Sequence, residues 1–178
     1  MAATTTPLSG AFTADPVHSS FGFAVTYQGV SIYRGTLTDV TASLSGGRLE
    51  GTAKVDSISI VRPEQFRAHV LGPDFFDASE HPEVRFASTD LDLREDGTAT
   101  VTGELTIRGV ARPVEATGTW TAPAADVMGN ARGHLHLDAV VDRTEWGMTW
   151  NMALPTGGNV LANDVTLTVD LSLIEQKA

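Results

Sequence analysis

Cysteine is absent from this sequence of 178 residues. That absence excludes disulfide stapling, thiol catalysis and cysteine-ligated metals together. Positive charge is scarce: 12 Lys and Arg stand against 22 Asp and Glu, a formal net charge of −10. Phosphate backbones are bound by clustered Lys and Arg, so no nucleic-acid partner is expected. Electrostatic docking on an anionic membrane is disfavoured for the same reason, and the acidic excess reads as a device for solubility. Nothing approaches the ~20 consecutive apolar residues of a spanning helix, so no transmembrane segment is expected. Met1 to Gly10 have neither the basic start nor the apolar core of a signal peptide. A cytoplasmic location is therefore expected, or a periplasmic or secreted one if a leader was removed. Catalytic signatures are missing too: there is no G-x-S-x-G, Walker loop or G-x-G-x-x-G. Asp74, Asp77 and Glu80 cluster beside Pro73, Ser79 and Pro82 and read as turn formers and caps. No catalytic residue is assigned, and no enzyme activity is expected.

What is present is alternation. Phe21, Phe23, Val25 and Tyr27 share one strand face, with Gly22, Ala24 and Thr26 on the other. Ala99 to Ile107, Leu135 to Val141 and Val165 to Leu173 repeat the pattern, which means strands with one wet and one dry face. Three further runs change parity midway: Tyr33-Gly35-Leu37 against Val40-Ala42-Leu44, Leu49-Gly51-Ala53-Val55 against Ile58-Ile60, and Val84-Phe86 against Leu91-Leu93. A one-residue slip swaps the faces, so each break predicts a bulge or bend. Bends allow a sheet to close on itself. Turn signals at Ser45-Gly46-Gly47, Glu95-Asp96-Gly97, Arg108-Gly109-Val110 and Thr156-Gly157-Gly158 separate the strands at intervals of roughly ten residues. Strands of about ten residues would be ~33 Å long, making a tall barrel.

The expectation is an all-β fold: an extended antiparallel lipocalin-like barrel of about eight strands, one domain over residues 12–175, after a flexible N-terminal segment 1–11. One stretch departs from alternation. Phe66, Val70 and Leu71 lie at helical spacing before Gly72-Pro73, predicting a short helix near residues 64–72 and then a loop carrying Phe75 and Phe76.

Several residues could line an interior cavity or simply fill a core. Phe21, Phe23 and Val25 are one set. Trp146, Met148, Trp150, Met152 and Leu154 alternate and are read as one strand face, where deformable methionine and broad aromatic rings suit a loosely fitting lipid. Phe66, Val70, Phe75 and Phe76 could form a lid at the barrel mouth or a plug sealing the core. His134 and His136 project from one face with Asp138, a candidate metal set for a metal-dependent enzyme. Leu135 and Leu137 on the other face argue that the histidines point to solvent, and no metal ligands are assigned. The Ile107-Arg-Gly-Val-Ala-Arg-Pro113 turn reads as a structural hairpin, with Arg108 or Arg112 holding an anionic head group as the lesser reading. A solid barrel serving structure or interaction alone is the remaining alternative.

Four stretches together resemble the YceI-like family of lipocalin-like polyisoprenoid-binding proteins. They are Asp15-Pro-Val-His-Ser-Ser with Phe21, Phe23 and Val25; Gly72-Pro-Asp-Phe-Phe-Asp with His81-Pro-Glu-Val-Arg-Phe86; Thr102-Gly-Glu-Leu-Thr-Ile-Arg-Gly-Val-Ala-Arg-Pro-Val-Glu115; and Asp142-Arg-Thr-Glu-Trp-Gly147. The resemblance covers roughly residues 12 to 173. It implies non-catalytic binding, storage or transport of a long-chain amphiphile: a polyprenyl quinone, a polyprenyl phosphate or a fatty acyl derivative. It tilts Phe21, Phe23 and Val25 toward cavity lining and extends the lining set to Tyr27, Tyr33, Leu37, Val55 and Phe86. Head-group candidates are His69, Arg67 and Arg143. No covalent cofactor is expected, only a bound polyisoprenoid or other lipid, and long exposed edges leave a homodimer possible. The chain has Tyr27 where relatives often carry histidine, and Trp146-Gly147 where they carry Phe-Gly.

Overall fold

The computed structural model describes residues 8–177. Residues 1–7 of the expected flexible segment lie outside that span, and Leu8 packs against the core. The chain runs β1 (Ala11–Ala14), β2 (Ser20–Tyr27), β3 (Ser31–Leu37), β4 (Val40–Ser45), β5 (Arg48–Lys54), α1 (Glu64–Leu71), β6 (Glu83–Leu93), β7 (Thr98–Ile107), β8 (Val110–Ala125), β9 (Ala131–Asp142) and β10 (Leu161–Glu175). Each strand pairs antiparallel with its neighbours, in the order β1-β4-β5-β6-β7-β8-β9-β10, and β1 pairs again with β10. That last pairing, Phe12 opposite Glu175 and Ala14 opposite Leu173, closes an eight-stranded barrel. β2 and β3 continue the line of β1 and β4 beyond a bend, with β2 on β10 and β3 on β2.

The three parity breaks are three real irregularities. The chain leaves the sheet at Thr38-Asp39 between β3 and β4. A 3-10 turn at Val55–Ser57 follows β5. Between β6 and β7 the register shifts between Ser88 and Asp90, which leaves Thr89 as the extra residue of a bulge. Where the chain turns tightly, the residues fit the backbone: Arg108 and Gly109, between β7 and β8, both take positive φ, 51° and 71°, the geometry that suits a two-residue hairpin.

The bend between β1 and β2 is held by side chains. The Asp15 carboxylate accepts from Val17 N at 2.9 Å and from Arg132 Nη1 at 2.8 Å. The Arg132 guanidinium also reaches Ser172 Oγ at 2.6 Å and Asp126 Oδ2 at 3.2 Å, tying the bend to β10 and the β8–β9 turn. The cation holds the Asp15 carboxyl far below the usual carboxylate range, with His18 and the Val17 amide adding to the effect.

The barrel is filled unevenly. Its lower half is packed by Leu44, Val101, Leu135 and Leu173, all essentially inaccessible, and Phe12 and Trp120 are buried toward that end. Only about 90 Å³ of apolar space remains in the middle, bordered by Phe21, Phe86, Leu105, Leu137 and Leu167. The upper end, where the β2–β3 hairpin, α1 and the β9–β10 connection meet, is hollow.

Candidate functional site

A cavity of about 720 Å³ opens at the upper end, within the ~300–1,000 Å³ usual for small-molecule sites. One wall comes from the inward stripes of two paired strands: Phe23, Val25 and Tyr27 of β2, and Tyr33 of β3. β10 adds Val165, which stands directly opposite Val25. A second wall comes from the β9–β10 connection, with Met148, Trp150 and Met152. The lid is α1 and the loop after it, which contribute Phe66, Val70, Phe75 and Phe76.

Aromatic edges knit lid to wall. Phe66 meets Tyr33 at 5.4 Å between ring centroids, and Phe76 meets Phe23 at 5.9 Å. The His69 ring stands edge-on to Trp150 at 4.8 Å and to Phe75 at 5.1 Å, and its Nε2 lies 3.1 Å from Asp74 Oδ2. These tilted geometries are the favoured ones for aromatic pairs. Phe23 lies flat across Gly35: a Cβ there would stand 2.4 Å from the ring, so only glycine leaves room for it. Phe23 thereby floors the cavity, with Phe21 and the smaller apolar space beneath it.

Polar groups are few. The Tyr33 hydroxyl is buried and has no hydrogen-bond partner among the described residues; desolvation raises its pKa to about 12, so it is a neutral donor. Arg143 lines the cavity, but its guanidinium is committed to the backbone: Nε donates to Ala162 O at 2.8 Å, Nη1 to Met148 O and Nη2 to Leu161 O at 3.5 Å. Burial lowers its pKa from the usual arginine value. Arg67 lies outside the lining and donates to the carbonyls of Ile58 at 3.2 Å, Ile60 at 3.0 Å and Asp56 at 2.8 Å. Both arginines therefore strap loops in place, and neither presents a free fork to an anion.

Of the residues singled out in the sequence, eleven apolar or aromatic ones line this cavity together with His69 and Arg143: Phe23, Val25, Tyr27 and Tyr33; Phe66, Val70, Phe75 and Phe76; Met148, Trp150 and Met152. Others are placed elsewhere. Phe21 and Phe86 border the smaller space. Leu37 and Val55 are sealed in the core, and Leu154 lies in the loop away from the lining. The strand expected from Trp146 to Leu154 is corrected: residues 143–146 form a 3-10 turn and 147–160 run irregularly, apart from one bridge between Ala153 and Asn159. Gly147, Gly157 and Gly158 adopt positive φ there, and the Asn151 amide exchanges two hydrogen bonds with the Leu161 backbone in place of a neighbouring strand. Trp146 consequently turns into the core and donates to Leu105 O at 3.1 Å. Gln28, Ser31 and Ile32 of the β2–β3 hairpin and Val160, Leu161 and Val165 complete the lining without having been singled out. Val165 was legible in the β10 alternation, whereas the others depend on how the hairpin and the loop fold.

The motif-rich turn has a structural partner. Arg108 Nη1 donates to Gly147 O at 2.7 Å, and a Cβ at Gly109 would lie 2.9 Å from the His81 ring. Parts of the second, third and fourth stretches quoted above therefore converge just outside the cavity, where they brace its walls. His134 and His136 stand on the outer wall. His136 is flanked by Asp170, 2.9 Å from Nδ1, and Asp138, 3.0 Å from Nε2. Among the described residues no group of three or more His, Asp or Glu is arranged to hold a metal.

The sequence profile of the YceI-like domain matches residues 12–173. A "UPF0312 protein" of Pseudomonas putida is 23% identical over 166 residues, covering 90% of this chain and 83% of its own. A Pseudomonas fluorescens protein of the same name is 26% identical over 155 residues, covering 80% and 77%. The fold matches the Campylobacter jejuni YCEI protein with a TM-score of 0.71 at 20% identity, over 85% of this chain and 90% of that one. It also matches a Saccharophagus degradans domain described as polyisoprenoid binding and implicated in plant cell wall breakdown, with a TM-score of 0.67 at 10% identity, over 94% and 99%.

Proposed function

This chain belongs to the YceI-like family, and on that footing we propose that it binds a long-chain amphiphilic lipid of the polyisoprenoid type in the barrel mouth, without covalent chemistry. The observation that carries this reading is the cavity of about 720 Å³ walled by aromatic, methionine and branched aliphatic side chains. The Saccharophagus domain of the same fold, described as polyisoprenoid binding, points the same way. Apolar burial supplies the driving force: each ~100 Å² of chain removed from water contributes about 2.5 kcal/mol, before the cost of ordering the ligand. Methionines at the wall let one cavity accept related chains. The ligand's polar head belongs at the open end, near His69, Tyr27 and Gln28, since the two arginines nearby are held by backbone carbonyls. Storage or carriage of such a lipid is the role this supports.

Native mass spectrometry of the purified chain, before and after incubation with a polyprenyl quinone, a polyprenyl phosphate and a fatty acid, tests the proposal. At least one should bind in a one-to-one complex. Met148→Trp combined with Met152→Trp should lower uptake by about tenfold or more through lost cavity space, with the circular dichroism spectrum unchanged. A chain that takes up none of the three lipids would refute the reading.

A further inference from the structure

Exposed apolar side chains are gathered at the cavity mouth. Of the ten large hydrophobic residues left exposed among those described, six belong to segments of the upper end: Tyr27, Val30, Ile32, Val61, Phe66 and Met152. Val30 is 89% exposed, Val61 68% and Met152 59%, so these are not the edges of core residues. Val30 sits in the β2–β3 turn. Val61 follows a stretch tied along β3 by the Leu37–Ile58 bridge and by Ser59 N donating to Thr36 O at 2.8 Å. Phe66 meets Tyr33 edge-on. Tyr27, Ile32, Phe66 and Met152 also line the cavity, with the polar Gln28 and Ser31 between them, so the apolar interior runs out through the mouth onto this surface.

The charge pattern changes at the same place. The chain carries 22 acids, yet residues 16–38, 57–63 and 146–163, which supply the hairpin, the stretch beside it and the β9–β10 loop, contain none. Arg34 and Arg62 within them are exposed. Of the acids that flank these segments, Asp142 accepts from Thr144 and lies with the exposed Asp164 beside Gly29, Asp74 pairs with His69, and Glu64 opens α1. A surface that is acidic overall but has an apolar rim poor in acids and two exposed cations is suited to the boundary between lipid head groups and acyl chains. There, Val, Ile, Met and Phe insert, Tyr and Trp sit at head-group depth, and arginine meets phosphate.

We propose that the mouth end of the barrel docks on a lipid bilayer, with the β2–β3 hairpin tip and the exposed Val61 side chain as its apolar anchors. The inference rests on the lipid-binding reading only for its purpose: docking would bring the open cavity against the phase in which a long-chain lipid dissolves, so that the chain need not cross water.

Flotation of the full chain with phosphatidylcholine vesicles tests this. Wild type is expected to rise with the vesicles. The Val30→Asp, Val61→Asp double variant should bind them about tenfold or more weakly. Neither side chain lines the cavity, so lipid bound from detergent solution, read by native mass spectrometry, should be unchanged in that variant. Wild type left in the dense fraction, or a double variant that floats equally well, overturns the proposal. So does a wild-type dimer that fails to float and that the double variant dissociates, since a second copy would then be the occupant. A chain that floats but never holds lipid removes the cavity reading and leaves docking intact. One that holds lipid but never floats does the reverse.

Discussion

On the outer wall, His136 is held between two carboxylates, Asp170 on Nδ1 and Asp138 on Nε2. Hydrogen bonds to those partners raise its pKa above the ordinary 6.5, against a smaller opposing effect of burial. A raised folded-state pKa means that the protonated ring stabilises the fold. That contribution is fully present below the unfolded value and is lost as pH rises through the folded one. His136→Gln should therefore lower the melting temperature most in mildly acidic solution, and the gap to wild type should narrow as pH climbs past neutrality. Thermal melts of both proteins across that range check this, and a gap independent of pH would show that charge on His136 is immaterial. The same residue marks what was readable in advance. Its outward placement follows from Leu135 and Leu137 being buried, and alternation announced that. Its partners Asp170 and Asp138 sit on two strands brought into register by the barrel, and only Asp138 is near in sequence. The arginines fall on the other side of that line. The family resemblance points Arg67 and Arg143 toward a lipid head group, but a guanidinium's partners depend on where loop carbonyls come to rest, and no periodicity encodes that.

At the scale of elements, the strands were legible because burial on one face imposes a period of two, and the three parity breaks because a bulge or bend shifts it by one. The β9–β10 connection departs from the strand its alternation predicts for a related reason. Trp146, Met148, Trp150 and Met152 alternate, yet glycine backbone geometry and the Asn151 side chain replace strand pairing there, so the alternation carries no sheet. α1 is held by its own fastening. It has eight residues and no side-chain cap, too short to be stable from local propensity. Its anchors are aromatic contacts on the cavity side and Arg67 on the other, bonded to the carbonyls of Ile58, Ile60 and Asp56. Arg67→Met keeps an apolar stem of similar length and strands those carbonyls, at a cost of about 1–3 kcal/mol. Because the loss is local, hydrogen exchange should accelerate in residues 56–71 while β8, β9 and β10 keep their protection. Uniform acceleration throughout the barrel, or none anywhere, would show that Arg67 does not act as the strap of the lid.

For the molecule as a whole, the division of the barrel into a packed lower half and a hollow upper half sets how much of a ligand can be enclosed. A tall barrel hollow along its length would admit a chain as long as its strands. Here the inward stripe of β2 passes from the cavity at Phe23 and Val25 to the small space at Phe21, and that of β10 passes from Val165 to Leu167 and Val169. Phe23 stands at the step between them, its ring spread over Gly35 and in contact with Tyr33 and Phe76. A lipid tail longer than the upper cavity must trail out of the mouth or displace this ring. Removing it should deepen the cavity of about 720 Å³ by the volume of the ring, toward the space of about 90 Å³ bordered by Phe21. Phe23→Ala should cost about 2–4 kcal/mol, because the ring is only partly buried and a wholly buried phenylalanine loses about 3–5 kcal/mol on truncation. A barrel of this size can tolerate that loss and stay folded at moderate temperature. The expected gain is in chain length. Among polyprenyl lipids with one head group and graded tails, the variant should shift its preference toward longer members, read as relative complex abundance in native mass spectrometry. Tyr33, which also touches the ring, supplies the control: Tyr33→Phe removes the unpartnered hydroxyl without opening the floor, and should leave the length preference where wild type has it. If Phe23→Ala retains the wild-type preference while folded, the floor of the cavity is set by the packed leucines beneath, and tail length is selected at the mouth.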